Sequence, residues 1–251
     1  MSREQTILLT NDDGIHAPGL TALRKELDGP YRVFTVAPDR ERSAVSMSIT
    51  LTRPLRLHTH APDLVAVDGT PSDCVNLALQ EVLPQAPDLV VSGMNLGENL
   101  SFDVFYSGTV GAAFTAHLYG LPALAVSLVP REDARGDLVF DLEGGAAVAL
   151  DVIRRLLPAT RKGIVYNLNI PAGAREVRVT TLGDKRYRPE VVQTRDPRKR
   201  RAYWLGTGSP EYRGNGETDV GAVRAGFASL SVLRYDLGDM RETEHLRGIF
   251  S

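Results

Sequence analysis

Two adjacent carboxylates, Asp12 and Asp13, follow a short apolar run near the start of the 251-residue chain. Adjacent carboxylates repel each other unless a cation or a shared proton offsets their charge. The run before them, residues 7–9, is too short for a helix and is typical of a strand buried on both faces. Gly14 supplies a turn that can direct both side chains toward one point. The pattern therefore predicts that the two aspartates bind a metal ion.

A simpler interpretation of residues 11–14 is a turn followed by a helix cap. Asn, Asp and Gly are common in turns, and Asp is a frequent N-cap. Both interpretations place the segment at the carboxyl end of a strand, where ligands bind in open parallel sheets. We favour the metal site because further polar loops follow other predicted strands at the same edge.

Two of these polar loops contain Ser43 and Asn95. If they converge with Asp12 and Asp13, all four side chains offer oxygen ligands. Oxygen is the donor that hard divalent cations such as Mg²⁺ and Mn²⁺ prefer, whereas Zn²⁺ would require His or Cys. The sequence thus indicates a magnesium or manganese site.

The loop that contains Asn95 passes into a predicted helix through Ser107, Gly108 and Thr109. Small residues at a helix start leave backbone N–H groups free to bind an anion, and the helix dipole adds attraction. The fragment matches neither a P-loop nor a dinucleotide-binding fingerprint, and glycine at a helix start often serves only packing. Its position beside the other loops is what favours a phosphate site.

A hard cation that faces an anion site suits the hydrolysis of a phosphate ester. The metal binds a phosphoryl oxygen, lowers the pKa of a bound water and neutralises charge in the transition state. Asp13 would orient or deprotonate the attacking water, or attack phosphorus itself. The sequence leaves these roles open.

Strands alternate with helices over roughly the first 170 residues, which predicts an α/β fold with a doubly wound parallel sheet. The composition, 43% hydrophobic and 24% charged, fits a globular protein with a large core. Apolar and polar residues alternate over 45–51, which predicts a half-buried strand beside the site.

The character of the chain changes at residues 183–218, a polar segment with a basic run at 198–201. Basic residues next to Tyr203 and Trp204 could form a polyanion or nucleic-acid patch. We favour an arm that extends from the core and packs on another subunit, with the two aromatic side chains as interface anchors.

Charge, cysteine usage and hydropathy exclude several classes of partner and compartment. A formal net charge of -2 gives no global reason to expect nucleic acid or an acidic membrane as partner. Cys74 is the single cysteine, so no intrachain disulfide can form and a reducing compartment is expected. Neither a signal-peptide pattern nor a run of about 18 apolar residues is present. We expect a cytoplasmic protein without a membrane partner.

Four motifs in this order resemble the SurE (survival protein E) family of nucleotidases. They are Asn11-Asp12-Asp13-Gly14; Ala37-Pro38-Asp39-Arg40 with Arg42-Ser43-Ala44; Gly69-Thr70-Pro71 with Asp73-Cys74-Val75; and Ser92-Gly93, Asn95, Gly97 and Asn99 ending in the run from Tyr106 to Ala113. The similarity continues more loosely through Asn167, Asn169, Tyr203-Trp204 and Thr218-Asp219. One departure is Thr115-Ala116, where the family usually has an acid and a glycine.

The resemblance implies a divalent-metal-dependent phosphatase acting on nucleoside 5'-monophosphates, on 3'-monophosphates and on short polyphosphate. It implies one Mg²⁺ or Mn²⁺ per subunit, with the ligands Asp12, Asp13, Ser43 and Asn95. The implied catalytic residues are Asp12, Asp13 and Asn95, and the implied phosphate contacts are Ser43, Asn99, Ser107, Gly108 and Thr109. The alternative is a non-catalytic nucleotide-binding or RNA-binding protein that uses the basic arm.

The resemblance also implies the organisation of the chain. Residues 1–182 would form a Rossmann-like catalytic core, and residues 183–218 an extended basic arm for oligomerisation. Residues 219–251 would form a C-terminal helix and strand that return to the core or are exchanged with a partner subunit. The expected assembly is a homodimer or homotetramer.

Overall fold

The computed structural model describes residues 4–188, 190–206, 208, 210–213 and 215–250. Within these residues the strands are β1 (Thr6–Thr10), β2 (Arg32–Pro38), β3 (Leu57–Ala61), β4 (Leu64–Val67), β5 (Leu89–Leu96), β6 (Ala123–Val129), β7 (Arg131–Glu132), β8 (Leu138–Val139), β9 (Val165–Pro171), β10 (Val177–Thr180), β11 (Asp184–Arg186), β12 (Glu190–Arg195), β13 (Arg201–Gly206), β14 (Glu211–Arg213) and β15 (Ala228–Leu233). The helices are α1 (Pro18–Leu27), α2 (Pro71–Leu77), α3 (Gly108–Leu118), α4 (Leu142–Leu156), α5 (Asp219–Arg224) and α6 (Met240–Phe250).

A mostly parallel sheet forms the centre of the molecule. In the described chain it has nine strands in the order β10-β15-β9-β6-β5-β1-β2-β4-β3. The pairings of β1 with β2 and β5, and those of β6 with β5 and β9, are parallel, whereas β15 with β9 and β3 with β4 are antiparallel. The predicted α/β class with a doubly wound sheet is confirmed.

Helices cover both faces of this sheet. Ile7 and Leu9 of β1 lie in one apolar cluster with residues of α1 and α4, whereas Leu8 lies in another with residues of α2 and α3. Successive side chains of a strand point to opposite faces, so a strand covered on both sides must be apolar throughout. All five residues of β1 are buried, which fixes the origin of the loop that follows it.

The predicted strand over residues 45–51 is wrong. Ala44 and Ser46 have φ values of 56° and 52°, in the left-handed region that a strand cannot adopt. The N–H of Ser46 donates to the carbonyl of Tyr106 at 3.0 Å rather than to a neighbouring strand. Leu51 is 83% exposed. The alternation therefore reflects an irregular loop that lies against the segment before α3.

The segment after β10 leaves the central sheet. There β11 pairs with β14, and the hairpin of β12 and β13 carries exposed apolar side chains. They are Val191, Val192, Tyr203, Trp204 and Leu205. The chain then returns through α5 to β15, which lies between β9 and β10.

The last helix, α6, has no buried residue among those described. Its exposed apolar side chains include Leu246, Ile249 and Phe250. None of the described helices is both long enough and apolar enough to cross a membrane.

Candidate active site

The turn after β1 places the two aspartates at the edge of the sheet. Asn11 is buried, and its side chain bonds Gly14 twice: Nδ2 donates to the Gly14 carbonyl at 2.9 Å, and Oδ1 accepts from its N–H at 3.2 Å. Gly14 has a φ of 103°, which favours glycine. The turn therefore holds Asp12 and Asp13 in a fixed orientation.

Asp12 is a buried carboxylate, 4% exposed. Its Oδ1 accepts a hydrogen bond from the hydroxyl of Thr109, and its carbonyl accepts from the N–H of Arg42 at 2.7 Å. Burial raises the pKa of Asp12 to about 6; the charge of Asp13 adds to the rise, whereas the Thr109 hydroxyl opposes it. A bound cation would favour the charged form that burial disfavours.

Asp13 lies beside the carboxyl end of β5. Its Oδ2 accepts a hydrogen bond of 3.3 Å from the N–H of Leu96. Burial raises the pKa of Asp13, the bond from Leu96 opposes this, and the charge of Glu41 adds to it. Glu41 is therefore a third carboxylate at the site, acting on Asp13, and the sequence reasoning did not single it out. The available signal was its position two residues before Ser43.

One cavity of about 620 Å³ brings together most of the side chains singled out from the sequence. They are Asp12, Asp13, Ser43, Asn95, Asn99 and Ser107. The hydroxyl of Ser43 donates to Glu41 Oε1 at 2.7 Å, and Asn95 Nδ2 donates to the Gly97 carbonyl at 2.8 Å. The polar loops thus meet at one edge of the sheet.

The N-terminus of α3 lies directly against Asp12. Ser107 is the N-cap, and its side chain accepts from the N–H of Val110 at 3.1 Å. A Cβ on Gly108 would lie only 2.9 Å from the Asp12 side chain, so the absence of a side chain permits this approach. Gly108 and Thr109 are not among the residues that line the cavity; Thr109 is instead fully buried and bonded to Asp12.

Asn99 anchors its loop to the sheet. Its N–H donates to Asn169 Oδ1 and its Nδ2 to Ser127 Oγ, both at 2.7 Å, while its carbonyl accepts from the side chains of Asn167 and Asn169. The predicted phosphate contact therefore lies at the cavity wall with its amide nitrogen bonded to β6.

Asp219, which is fully buried, ties this loop to the base of the arm. Its Oδ2 accepts from the N–H of Ser101 at 2.8 Å and its Oδ1 from the N–H of Gly183 at 2.6 Å. The hydroxyl of Ser101 donates to the Gly183 carbonyl at 2.8 Å. The sequence reasoning assigned Asp219 no role at the site; its local signal was only that of a helix start after Thr218.

Lys185, 2% exposed, is a second tie between the arm and the loop. Its Nζ lies 2.7 Å from Glu98 Oε1 and 2.6 Å from Asp103 Oδ2. Burial alone would lower the pKa of Lys185, but the hydrogen bonds with Asp103 and Glu98 raise it above its usual range. Glu98 and Asp103 line the cavity, and a single ammonium group compensates one of their two negative charges.

The donor chemistry of the cavity fits a hard cation. In the part of the chain that the structure describes, no group of three or more His, Cys, Asp or Glu is arranged to hold a metal. The site instead combines two carboxylates with a hydroxyl and an amide, from Ser43 and Asn95. Such an oxygen set suits Mg²⁺ or Mn²⁺ and not Zn²⁺.

Comparisons of the sequence and of the structure with known proteins identify the same family. The family model described as Survival protein SurE matches residues 7–189. A protein of Syntrophotalea carbinolica named 5'-nucleotidase SurE is 45% identical over 241 residues, covering 96% of this chain and 95% of that one. A protein of Desulforudis audaxviator with the same name is 44% identical over 258 residues, with 96% of each chain covered. A crystal structure of the SurE protein from Aquifex aeolicus is similar, with a TM-score of 0.83, 35% identity and coverage of 98% of this chain and 100% of that one. The chain belongs to the SurE family.

Proposed function

We propose that this protein is a divalent-metal-dependent 5'-nucleotidase that hydrolyses nucleoside 5'-monophosphates to nucleoside and phosphate. The observation that carries the proposal is one cavity lined by the buried Asp12 and the half-buried Asp13, with Asp12 in contact with the N-terminus of α3. The relatives named 5'-nucleotidase SurE support the same reaction. Nucleoside 3'-monophosphates and short polyphosphate are further proposed substrates.

The proposed metal ligands are Asp12, Asp13, Ser43 and Asn95, and the ion is Mg²⁺ or Mn²⁺, one per subunit. When bound, the ion would polarise a phosphoryl oxygen and lower the pKa of a water. Charge supports this assignment, because the raised pKa values of Asp12 and Asp13 indicate an environment that disfavours two uncompensated carboxylates.

The chain's own residues would bind and orient the substrate. The backbone N–H groups at the start of α3, with Ser107, Gly108 and Thr109, would bind the phosphate together with Ser43 and Asn99. Asp13 would orient or deprotonate the attacking water, or attack phosphorus itself, while Asp12 and Asn95 complete the catalytic set. When water attacks phosphorus, the P–O ester bond breaks, the ester oxygen takes up a proton, and nucleoside and inorganic phosphate leave. Direct attack by Asp13 would give an aspartyl phosphate that a second step with water must hydrolyse.

The domain division and the assembly are proposals that rest on exposed surface. Residues 1–182 would be the catalytic core, 183–218 the arm for oligomerisation, and 219–251 the segment that returns to the core or is exchanged with a partner. Apolar side chains on the β12–β13 hairpin and α6 support a homodimer or homotetramer, since large exposed apolar patches mark interfaces. A cytoplasmic location is proposed because the single cysteine, Cys74, is buried and cannot form an intrachain disulfide.

The alternative of a non-catalytic nucleotide-binding or RNA-binding protein is not favoured. The relatives bear nucleotidase names. Within the basic run, the Arg200 side chain is paired with Asp196, with Nε 2.6 Å from Oδ2, so part of its charge is compensated inside the hairpin.

The test is phosphate release from a panel of nucleoside monophosphates and a generic phosphomonoester with Mn²⁺, with Mg²⁺ and with EDTA. We expect release that depends on the metal and stops with EDTA, with nucleoside monophosphates ranked first. Absence of release with every metal, from protein shown to be folded, would overturn the proposal.

A further inference from the structure

The lining of the cavity comes from two parts of the chain. The core contributes the polar residues described above together with Ala44, Leu96 and Tyr106. The arm contributes Tyr187, Leu205 and Gly206. The proposed phosphate contacts all lie outside the arm. The arm residues in the wall could therefore bind another part of the substrate.

The Tyr187 ring is held in place from behind. Lys185 Nζ lies 4.7 Å from the centre of this ring, within the range of a cation–π contact. Lys185 is in turn fixed by ion pairs with Glu98 and Asp103 at 2.7 and 2.6 Å. A half-buried aromatic ring with a fixed orientation offers a flat apolar surface at little cost in conformational entropy.

Leu205 supplies an apolar side chain beside it. The residue is 85% exposed although it lines the cavity. A ligand that covers this apolar side chain binds with a more favourable free energy, because the contact removes apolar surface from water. Tyr187 and Leu205 together therefore fit a flat, largely apolar group.

The dimensions fit a phosphate joined to such a group. A volume of about 620 Å³ is within the range of small-molecule sites, about 300–1,000 Å³. A nucleoside monophosphate has an anionic group at one end and an aromatic base at the other. Bases stack on aromatic side chains without requiring a particular base sequence.

We propose that Tyr187 and Leu205 of the arm form a wall that binds the nucleobase of the substrate, so that the arm selects nucleotides over phosphate esters that lack a base. The inference rests on the proposed nucleotidase function and names the part of the chain that recognises the nucleoside.

The test compares two substrates that differ only in the base, adenosine 5'-monophosphate and ribose 5-phosphate. The measured quantity is the ratio of their kcat/KM values. In Tyr187→Ala the ratio should fall about tenfold, equivalent to about 1.4 kcal/mol, because a stacking face is lost. Tyr187→Phe, which keeps the ring, should retain the wild-type ratio.

Leu205→Ser gives an independent variant, because an exposed side chain can be changed without disturbing the core; the ratio should fall roughly threefold. Val192→Ser is the matched control. Val192 pairs with Trp204, the neighbour of Leu205, so its side chain lies on the opposite face of the hairpin. An unchanged ratio in both Tyr187→Ala and Leu205→Ser, or an equal fall in Val192→Ser, would overturn the proposal.

Binding of adenosine to the metal-free protein, measured by calorimetry, separates this inference from the function on which it rests. Weaker adenosine binding by Tyr187→Ala supports the wall even if the wild-type protein releases no phosphate, in which case only the proposed function fails. Conversely, a wild-type protein that releases phosphate but binds adenosine no better than Tyr187→Ala retains the function and excludes the wall.

Discussion

The buried carboxylate of Asp219 accepts a 2.8 Å hydrogen bond from the backbone N–H of Ser101, 118 residues earlier in the chain. Ser101 has a φ of 53°, a conformation that few residues adopt without support. The loop after β5, which carries the cavity residue Asn99, is thus held in shape by a residue at the start of α5.

Replacing Asp219 with Asn should lower both stability and activity. Asn has nearly the same size but only one acceptor oxygen, so one of the N–H groups of Ser101 and Gly183 would face an NH₂ group. Loss of a buried charge-assisted hydrogen bond costs about 2 kcal/mol. Thermal unfolding and kcat would report the change. Asp236→Asn at an exposed position is the control, and an Asp219 variant as stable as this control would contradict the assigned role.

Asp12→Asn and Asp13→Asn should each lower turnover by a factor on the order of a thousand or more, because each removes a charge that would bind the metal. Circular dichroism should show an unchanged fold. Asp151→Asn on the exposed face of α4 controls for the general effect of removing a carboxylate. A double variant, Asp12→Asn with Asp13→Asn, that keeps full activity would exclude the proposed site.

The stability of the metal-free protein should fall as the pH rises from about 4 to about 6. The pKa of Asp12 is raised from 3.8 to about 6 when the chain folds, so the folded state holds this proton more tightly. Its contribution is fully present below the unfolded pKa and is lost as pH rises through the folded pKa, by up to about 3 kcal/mol. Denaturant titrations at several pH values would measure it.

The comparison for this pH effect is Asp12→Asn, which cannot ionise at that position and should show a smaller decline over the same range. Saturating Mn²⁺ should also reduce the decline in the wild-type protein, because a bound cation compensates the carboxylate. A wild-type protein whose metal-free stability falls no more steeply over this range than that of the variant would refute the assignment.

Gly108→Ala should reduce activity about tenfold and destabilise the protein by about 1–3 kcal/mol. The new Cβ would lie 2.9 Å from the Asp12 side chain, so that the carboxylate or the start of α3 must move. The matched control is Gly248→Ala in α6, where a Cβ would meet no heavy atom within 4 Å. Equal kcat values and melting temperatures for the two variants would show that the close approach does not matter.

The sequence predicted the fold class because the patterns that encode it are local. The uniformly apolar run in β1 and the period of Leu20, Leu23 and Leu27 in α1 report burial directly. Inferring a strand from the side-chain pattern failed for residues 45–51. Alternation of apolar and polar side chains carries no information on the left-handed backbone at Ala44 and Ser46.

The site was predictable only in part, for a related reason. Carboxyl ends of parallel strands meet at one edge, so that polar loops after several strands can be expected to lie together. The roles of Lys185 and Asp219 depend on contacts with residues 82 and 118 positions away. No periodicity or turn chemistry specifies such contacts, and only the folded structure reveals them.

The return of β15 to a place between β9 and β10 has a consequence for the protein during its synthesis. All the proposed ligands and phosphate contacts lie in the first 109 residues, yet the loop after β5, which carries Asn99, is anchored by Asp219. A nascent chain that has left the ribosome only as far as α4 carries every reactive group and lacks the anchor. Since contacts between distant residues form slowly, catalytic competence would be among the last properties acquired by each newly made chain.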